Sequence, residues 1–275
     1  MKSNFNSATY WLPRMEHAIR QPKTVFVDYD HRAVLGLMCE EPAKADVESL
    51  EAIVAKVKEA LVVVGVPAFL RTDQSSAKHA GPIAYKIERA DEDVIRRVIL
   101  ATAEDNEMKF MCGPAPTKLL VRQWLDLDAH FTAFGGHPIA REWRFFASRE
   151  GAECWHFYWP KSAVKGSAKP GAALEVGWES AYEAISEPLH PFDCTGLGHL
   201  AKLAAFLCHD EQAKRWSVDF AKDKTGRWWL IDMAVAEDSW HPGTCPTSNY
   251  QEDEDEDQNA LASKLLAPSN GTEPS

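Results

Sequence analysis

The chain has 275 residues, 45 % hydrophobic and 26 % charged, a globular composition long enough for one large domain or two interlocked lobes. No stretch approaches the ~18 consecutive apolar residues that a membrane helix needs, and residues 1–10 lack the apolar core of a secretory signal. The six cysteines (Cys39, Cys112, Cys154, Cys194, Cys208 and Cys245) are scattered without a C-x-x-C pair, which reads as free thiols in a cytoplasmic protein. Net charge is −11. From Asn249 to the end seven acids and one lysine balance to −6, which leaves −5 on the rest. An acidic body argues against nucleic acid as a partner, though not against local basic pockets.

Residues 25–29 (VFVDY) read as a short buried strand. A helix is predicted over 45–61, where Val47, Leu50, Ile53, Val54, Val57 and Leu61 share a face and Asp46 and Glu48 sit in the first turn. Residues 68–70 form a strand that runs into a polar loop, 71–81, with 83–87 as its return strand. Residues 91–103 are helical and 118–125 (KLLVRQWL) form an apolar strand. Extended segments at 139–146 and 152–158 follow, then helices at 178–185 and 198–207. Strands at 216–220 and 228–233 are joined by Asp223, Lys224, Thr225 and Gly226, a turn with glycine where positive φ is expected. No internal repeat is present, and intermixed helices and hairpins predict an α+β fold. Residues 249–275, with the unbroken acidic run 252–257, read as a tail, either solvated or a docking segment.

Four segments carry candidate chemistry. In 69–79 (FLRTDQSSAKH) a strand delivers Arg71, then small hydrogen-bonding residues, then Lys78. Small residues permit close backbone approach to phosphates and the cations would offset their charge, although a surface hairpin loop would look similar. In 119–125 an apolar strand ends at Arg122, Gln123, Trp124 and Leu125, which could present backbone groups and an aromatic wall, or could be core alone. In 141–146 (REWRFF) strand alternation sets Glu142, Arg144 and Phe146 on one side and Arg141, Trp143 and Phe145 on the other. Charges among large aromatics need partners, so Arg144 is a ligand for phosphate or for Glu142. In the last segment, Asp219 and Asp232 each interrupt an apolar strand of a predicted hairpin. Neighbouring carboxylates repel unless one is protonated or a cation lies between them, and Mg²⁺ takes one or two carboxylates plus phosphates. Either Asp could instead end its strand.

In this order the four segments resemble the ATP-grasp superfamily, most of all its small members related to Cdc123 (the cell-division-cycle D123 family) and the phage and bacterial R2K clade. The likeness spans about residues 60–240: a loop after a strand-borne cation, a hinge strand, Glu142 to Phe146 as E-[FW]-R-x-[FY], then V-D-x-A, a glycine turn and W-x-L-I-D. The resemblance implies an ATP-grasp fold with nucleotide bound between two α+β lobes, 1–118 with phosphate loop 69–81, and 119–248 with the metal-binding strands. It implies that Arg71 and Lys78 hold phosphates, that Gln123, Trp124 and Leu125 bind adenine, and that Asp219 and Asp232 hold Mg²⁺ against ATP. Arg144, with Arg141, would stabilise the transferring phosphoryl group or a substrate carboxylate. The implied activity is carboxylate–amine ligation through an acyl phosphate, on a small molecule or peptide with a carboxylate. The alternative is a Cdc123-like assembly factor that uses ATP to engage a protein partner without ligase turnover. One departure stands out. Where these families often carry Asn as a further metal ligand, this chain has Ala234, so water or Glu237 would have to fill in.

Overall fold

The structure is a computed structural model and describes residues 4–37, 41–76, 78, 81–110, 114–168 and 173–242. Ala77 and His79 of the predicted phosphate loop, Cys39, Cys112 and Cys245, and the acidic tail lie outside the described residues.

Two antiparallel four-stranded sheets organise the chain. The first has the order β1–β4–β2–β3, built from β1 (Thr24–Asp28), β2 (Ala68–Thr72), β3 (Lys86–Ile87) and β4 (Lys118–Gln123). Alternation on β2 and β4 turns Ala68, Leu70, Leu119 and Val121 into a core with α3 (Lys44–Val64) and α4 (Glu92–Phe110), which contribute Ile53, Val57, Ile95 and Ile99. The paired residues Phe69↔Arg122 and Arg71↔Leu120 face the other way. A short helix, α2 (His31–Gly36), is capped by Asp30, whose carboxylate accepts from the Ala33 amide.

The second sheet has the order β10–β9–β7–β8: β7 (Glu142–Ser148), β8 (Ala152–Phe157), β9 (Arg215–Lys222) and β10 (Trp228–Val235). Its apolar face (Trp143, Phe145, Trp216, Val218, Phe220, Leu230 and Met233) packs with Leu197, Ala201 and Ala204 of α7 (Pro191–Leu207). The opposite face carries Glu142, Arg144, Asp219 and Asp232. A hairpin of β5 (Ala129–Ala133) and β6 (His137–Ala140) joins α5 (Lys161–Gly166) and α6 (Trp178–Ser186) around a smaller core of Phe131, Ile139, Trp159 and Ile185. No helix among the described residues is long and apolar enough to cross a membrane.

β10 contains a β-bulge. Leu230 pairs with Phe220 and Asp232 with Asp219, so Ile231 is the extra residue. With regular pairing Ile231 would stand opposite Asp219, and Asp232 would point the same way as Leu230, into the apolar core. The extra residue reverses the phase and places Asp232 beside Asp219 on the charged face.

Several expectations are corrected. The extended segment 139–146 is two strands, broken at Arg141. The return strand at 83–87 shrinks to Lys86–Ile87, because Pro82 starts a 3-10 turn over Pro82–Ala84. The helix expected at 198–207 begins at Pro191, with proline at its first turn where no amide partner is needed. The boundary expected at 118–119 falls inside the first sheet, because β4 is hydrogen-bonded between β1 and β2. The N-terminus also departs from the expected division. Trp11, the last residue of the short helix α1 (Ala8–Trp11), and Met15 are fully buried in the core of the second sheet, not the first.

Trp11 therefore clamps the start of the chain to the second lobe. Trp11→Ala is expected to lower unfolding free energy by about 3–5 kcal/mol, read as a shift of the urea midpoint.

Candidate functional site

Asp219 and Asp232 stand opposite each other on β9 and β10, and Arg144 stands opposite Asp219 on β7. Arg144 grips Asp219 with a two-pronged fork, Nε to Oδ1 and Nη2 to Oδ2, both 2.8 Å. From the first sheet Arg71 donates through Nη1 to Asp232 Oδ1 at 2.8 Å. Arg122 donates through Nη1 to the carbonyl of Ile231, the bulge residue, at 2.7 Å. Lys78 Nζ reaches Glu142 Oε1 at 3.0 Å. The Tyr158 ring lies against both Lys78 Nζ (4.8 Å) and the Arg144 guanidinium (4.7 Å), a cation–π support for each.

Four cations and three carboxylates thus meet where the sheets face one another, and most of them are buried. Burial pushes the Glu142 carboxyl up to about 7 against the pull of Lys78. Burial also pushes Lys78 down, but Glu142 more than reverses this and Lys78 stays firmly charged. Burial raises Asp232, and Arg71 with Lys78 outweighs it, holding Asp232 below its ordinary value. Burial and then Arg71 bring Arg122 down to about 9, still charged at neutral pH. Arg122 Nη2 is buried with no hydrogen-bond partner. An unsatisfied charged donor in a 4 % exposed residue is a costly arrangement for a resting core.

Beside this cluster opens a cavity of about 230 Å³. Phe69, Tyr85 and Trp124 give it aromatic walls, Gln123 and Leu125 belong to its hinge side, and Lys78, Arg122 and Glu142 also line it. Tyr85 lies parallel to Trp124 at 6.5 Å, and its hydroxyl is 2.6 Å from His137 Nδ1. The cavity is flat-walled, apolar and cationic where it meets the cluster, which suits a planar base carrying an anionic group. A larger, open groove of about 500 Å³ lies by Asp28, Asp30, His31, Arg32 and Lys56. Its carboxylates are already engaged, Asp28 with Lys118 and Asp30 as the cap of α2, and it holds none of the cluster's residues.

The structure brings Arg71, Lys78, Arg144, Asp219 and Asp232 together and sets Gln123, Trp124 and Leu125 on the adjoining cavity. Arg141 is elsewhere. Its Nη2 donates to the Ala184 carbonyl of α6 at 2.6 Å, on the opposite side from Glu142 and Arg144, so its pairing with Arg144 as a catalytic group is not met. Glu237 is turned to Arg215 at 3.8 Å and does not fill in for Ala234. Arg122, Glu142 and Tyr158 belong to the site without having been assigned to it from sequence. A signal for Arg122 was available, since it follows Leu120 at strand spacing and breaks an apolar run. For Tyr158 none was.

Whether Mg²⁺ fits is answered by the donor set. No group of three or more His, Cys, Asp or Glu that could hold a metal occurs among the described residues. The Asp219–Asp232 pair supplies two carboxylates, enough for Mg²⁺ only when phosphate oxygens and water complete the shell. Guanidinium groups pair with Asp219 and Asp232, so the residues fit a metal that arrives with a nucleotide.

No family model matches the sequence, and no curated protein does either. The fold is nonetheless defined: two α+β lobes meet over this site, in the arrangement that Cdc123 has. One solved structure with this fold is Cdc123. The C-terminally truncated Cdc123 of Schizosaccharomyces pombe matches with a TM-score of 0.53 at 12 % identity, over 98 % of this chain and 93 % of that one. The ATP-grasp ligase PsnB, complexed with precursor peptide PsnA2 and AMPPNP, gives 0.44 at 10 % identity over 89 % and 54 %. N5-carboxyaminoimidazole ribonucleotide synthetase from Thermotoga maritima gives 0.42 at 6 % over 84 % and 42 %. At such identities the likeness concerns the fold alone.

Two outcomes are expected from the buried charges. Lys78→Met strands Glu142 without its partner and costs about 3–5 kcal/mol in urea unfolding, most of which the double variant Lys78→Met/Glu142→Leu restores. His156, on β8 opposite Arg144, has its imidazole pushed by burial from 6.5 down to about 4, so the folded chain holds it neutral. Its contribution to stability is therefore full above pH 6.5 and is lost as pH falls toward 4. The urea midpoint should fall across that window, and less steeply in His156→Gln.

Proposed function

We propose that the chain binds ATP with Mg²⁺ in the cleft between its lobes. The observation that carries this reading is Arg122 Nη2, a buried charged donor without an acceptor, in a residue lining an aromatic cavity beside three further cations. A ligand that brings a flat ring and anionic oxygens satisfies both halves. The base lies against Phe69, Tyr85 and Trp124, with the backbone of 123–125 along its edge. Lys78, Arg71 and Arg122 take phosphate oxygens, and Arg144 the terminal phosphoryl group. Asp219 and Asp232 hold Mg²⁺, which when bound offsets charge on the phosphates. The lobes on this reading are those expected from sequence, with β4 completing the first and the N-terminal segment belonging to the second. The cytoplasm is the location we assign, where thiols such as Cys194 and Cys208 stay reduced.

For the reaction we propose carboxylate–amine ligation through an acyl phosphate, with the carboxylate of a small molecule or peptide bound near Arg144. Positioning and charge neutralisation are what these residues offer, which is what phosphoryl transfer to a carboxylate needs. A second reading, a nucleotide-dependent factor that engages a protein partner without ligation, is favoured by Ala234. It sits two residues from Asp232 on the same strand, where a further metal ligand would be expected, and Glu237 does not replace it.

Calorimetry with AMPPNP tests the site. Mg²⁺ should tighten binding at least about tenfold, equivalent to about 1.4 kcal/mol, and Asp232→Asn should abolish that gain. Equal affinity with and without Mg²⁺ in both chains would refute the metal role of the pair. ADP release in the presence of pooled carboxylates and amines supports ligation. Binding without turnover supports the partner-engaging reading.

A further inference from the structure

Of the five tyrosines among the described residues, four have a bonded hydroxyl. Tyr10 Oη donates to the Cys208 carbonyl at 3.3 Å and Tyr182 Oη to the Trp159 carbonyl at 2.7 Å. Tyr29 Oη lies 3.1 Å from His31 Nδ1, and Tyr85 Oη lies 2.6 Å from His137 Nδ1. The hydroxyl of the fifth, Tyr158, makes no hydrogen bond to a described residue. The backbone fixes where this residue stands. The register of β7 and β8 pairs Trp143 with Phe157, and the Tyr158 amide donates to the Glu142 carbonyl at 2.9 Å, so Tyr158 sits opposite Glu142 just past the end of β8. Residues two apart on a strand share a face, which sets Tyr158 with His156 on the charged face of the second sheet. There its ring serves two cations, Lys78 Nζ at 4.8 Å and the Arg144 guanidinium at 4.7 Å, and meets Trp159 edge-on at 4.8 Å.

Resting on the nucleotide reading above, we propose that Tyr158 is a specificity-determining residue whose hydroxyl donates to the terminal phosphoryl group and so separates a nucleoside triphosphate from a diphosphate. Its position supports the outer end of the nucleotide rather than the inner one. The aromatic cavity is lined by Lys78, Arg122 and Glu142, and among the described residues neither Tyr158 nor Arg144 belongs to that lining. Both therefore stand beyond the cavity, where a phosphate chain leading away from the base ends. Burial pushes the Tyr158 hydroxyl above its ordinary value against the pull of Lys78, so at neutral pH it keeps its proton and is a donor. In a half-buried residue water is the alternative acceptor, and an ionised phosphate oxygen is the stronger one. The division of labour follows from charge. Lys78 and Arg144 attract any phosphate through space, whereas a neutral hydroxyl counts only when an oxygen lies within hydrogen-bond reach. It thus responds to one phosphoryl group and not to the total charge of the chain of phosphates. With a diphosphate bound, water takes the place of that oxygen and the hydroxyl adds nothing. The nucleotide is held more tightly before its terminal group leaves than after, which serves a ligase and a partner-engaging factor alike.

Calorimetry on the wild type and on Tyr158→Phe, with Mg²⁺ and either AMPPNP or ADP, tests this. Phenylalanine keeps the ring against Lys78, Arg144 and Trp159 and removes the hydroxyl. The expected result is an AMPPNP affinity lowered at least about tenfold, the scale of one hydrogen bond to a charged group, with the ADP affinity held within about twofold. A merely structural role would weaken both nucleotides alike. An unchanged ratio of AMPPNP to ADP affinity in Tyr158→Phe, or loss of both nucleotides in that variant, therefore overturns the role of the hydroxyl and leaves the nucleotide site standing. Absence of binding heat from either nucleotide in the wild type overturns both.

Discussion

The pairing of four cations with three carboxylates at the junction of two sheets is the constraint on which this structure depends. The charges come from six parts of the chain: Arg71 from β2, Lys78 from the loop after it, Arg122 from β4, Glu142 and Arg144 from β7, Asp219 from β9 and Asp232 from β10. None could be buried alone without a desolvation cost of several kcal/mol. Together they fix how the lobes meet, because Arg71–Asp232 and Arg122–Ile231 are bonds between sheets that have separate cores. The fold is thus held at its centre by the same groups that would bind a ligand. Site and interface are one set of side chains.

This makes binding an exchange. The carboxylates that would take a metal are occupied by guanidinium groups, and the guanidinium groups that would take phosphate are occupied by carboxylates. A metal alone meets cations and a nucleotide alone meets anions. The metal–nucleotide complex carries both charges and can replace both partners in one event. Arg122 differs from the rest in holding a donor in reserve, and it stands where the aromatic cavity joins the cluster.

Much of this was legible in the sequence, and the limits have physical causes. The helices at 45–61 and 91–103 and the strands at 216–220 and 228–233 declared themselves through period and through turn chemistry at Gly226, because their apolar faces are continuous. Asp219 and Asp232 stood out because carboxylates interrupted apolar runs. What stayed hidden depended on contacts distant in sequence. The burial of Trp11 in the same core as Trp143, Trp216 and Met233 has no local signature. Alternation already put Arg141 and Arg144 on opposite sides, but their partners, the Ala184 carbonyl and Asp219, lie far along the chain and left no sign. The bulge left no trace, because 228–231 and 233–235 are all apolar, and only the packing shows the slip from Trp228 and Leu230 to Met233 and Val235. Tyr158, just past the end of β8, gave no pattern to read.

That slip has a consequence for how the chain tolerates change. A β10 that kept Ile231 but paired it evenly, opposite Asp219, would lose a distortion and keep every apolar contact of Leu230. It would also rotate everything downstream by one face, turning Asp232 into the core. The repaired strand would be more regular and chemically blank. The single surplus residue is thus a phase marker that sets where the acidic half of the site can exist, and the regularity that a neater hairpin would gain is incompatible with it. In this molecule an imperfection in hydrogen bonding is the address of the chemistry.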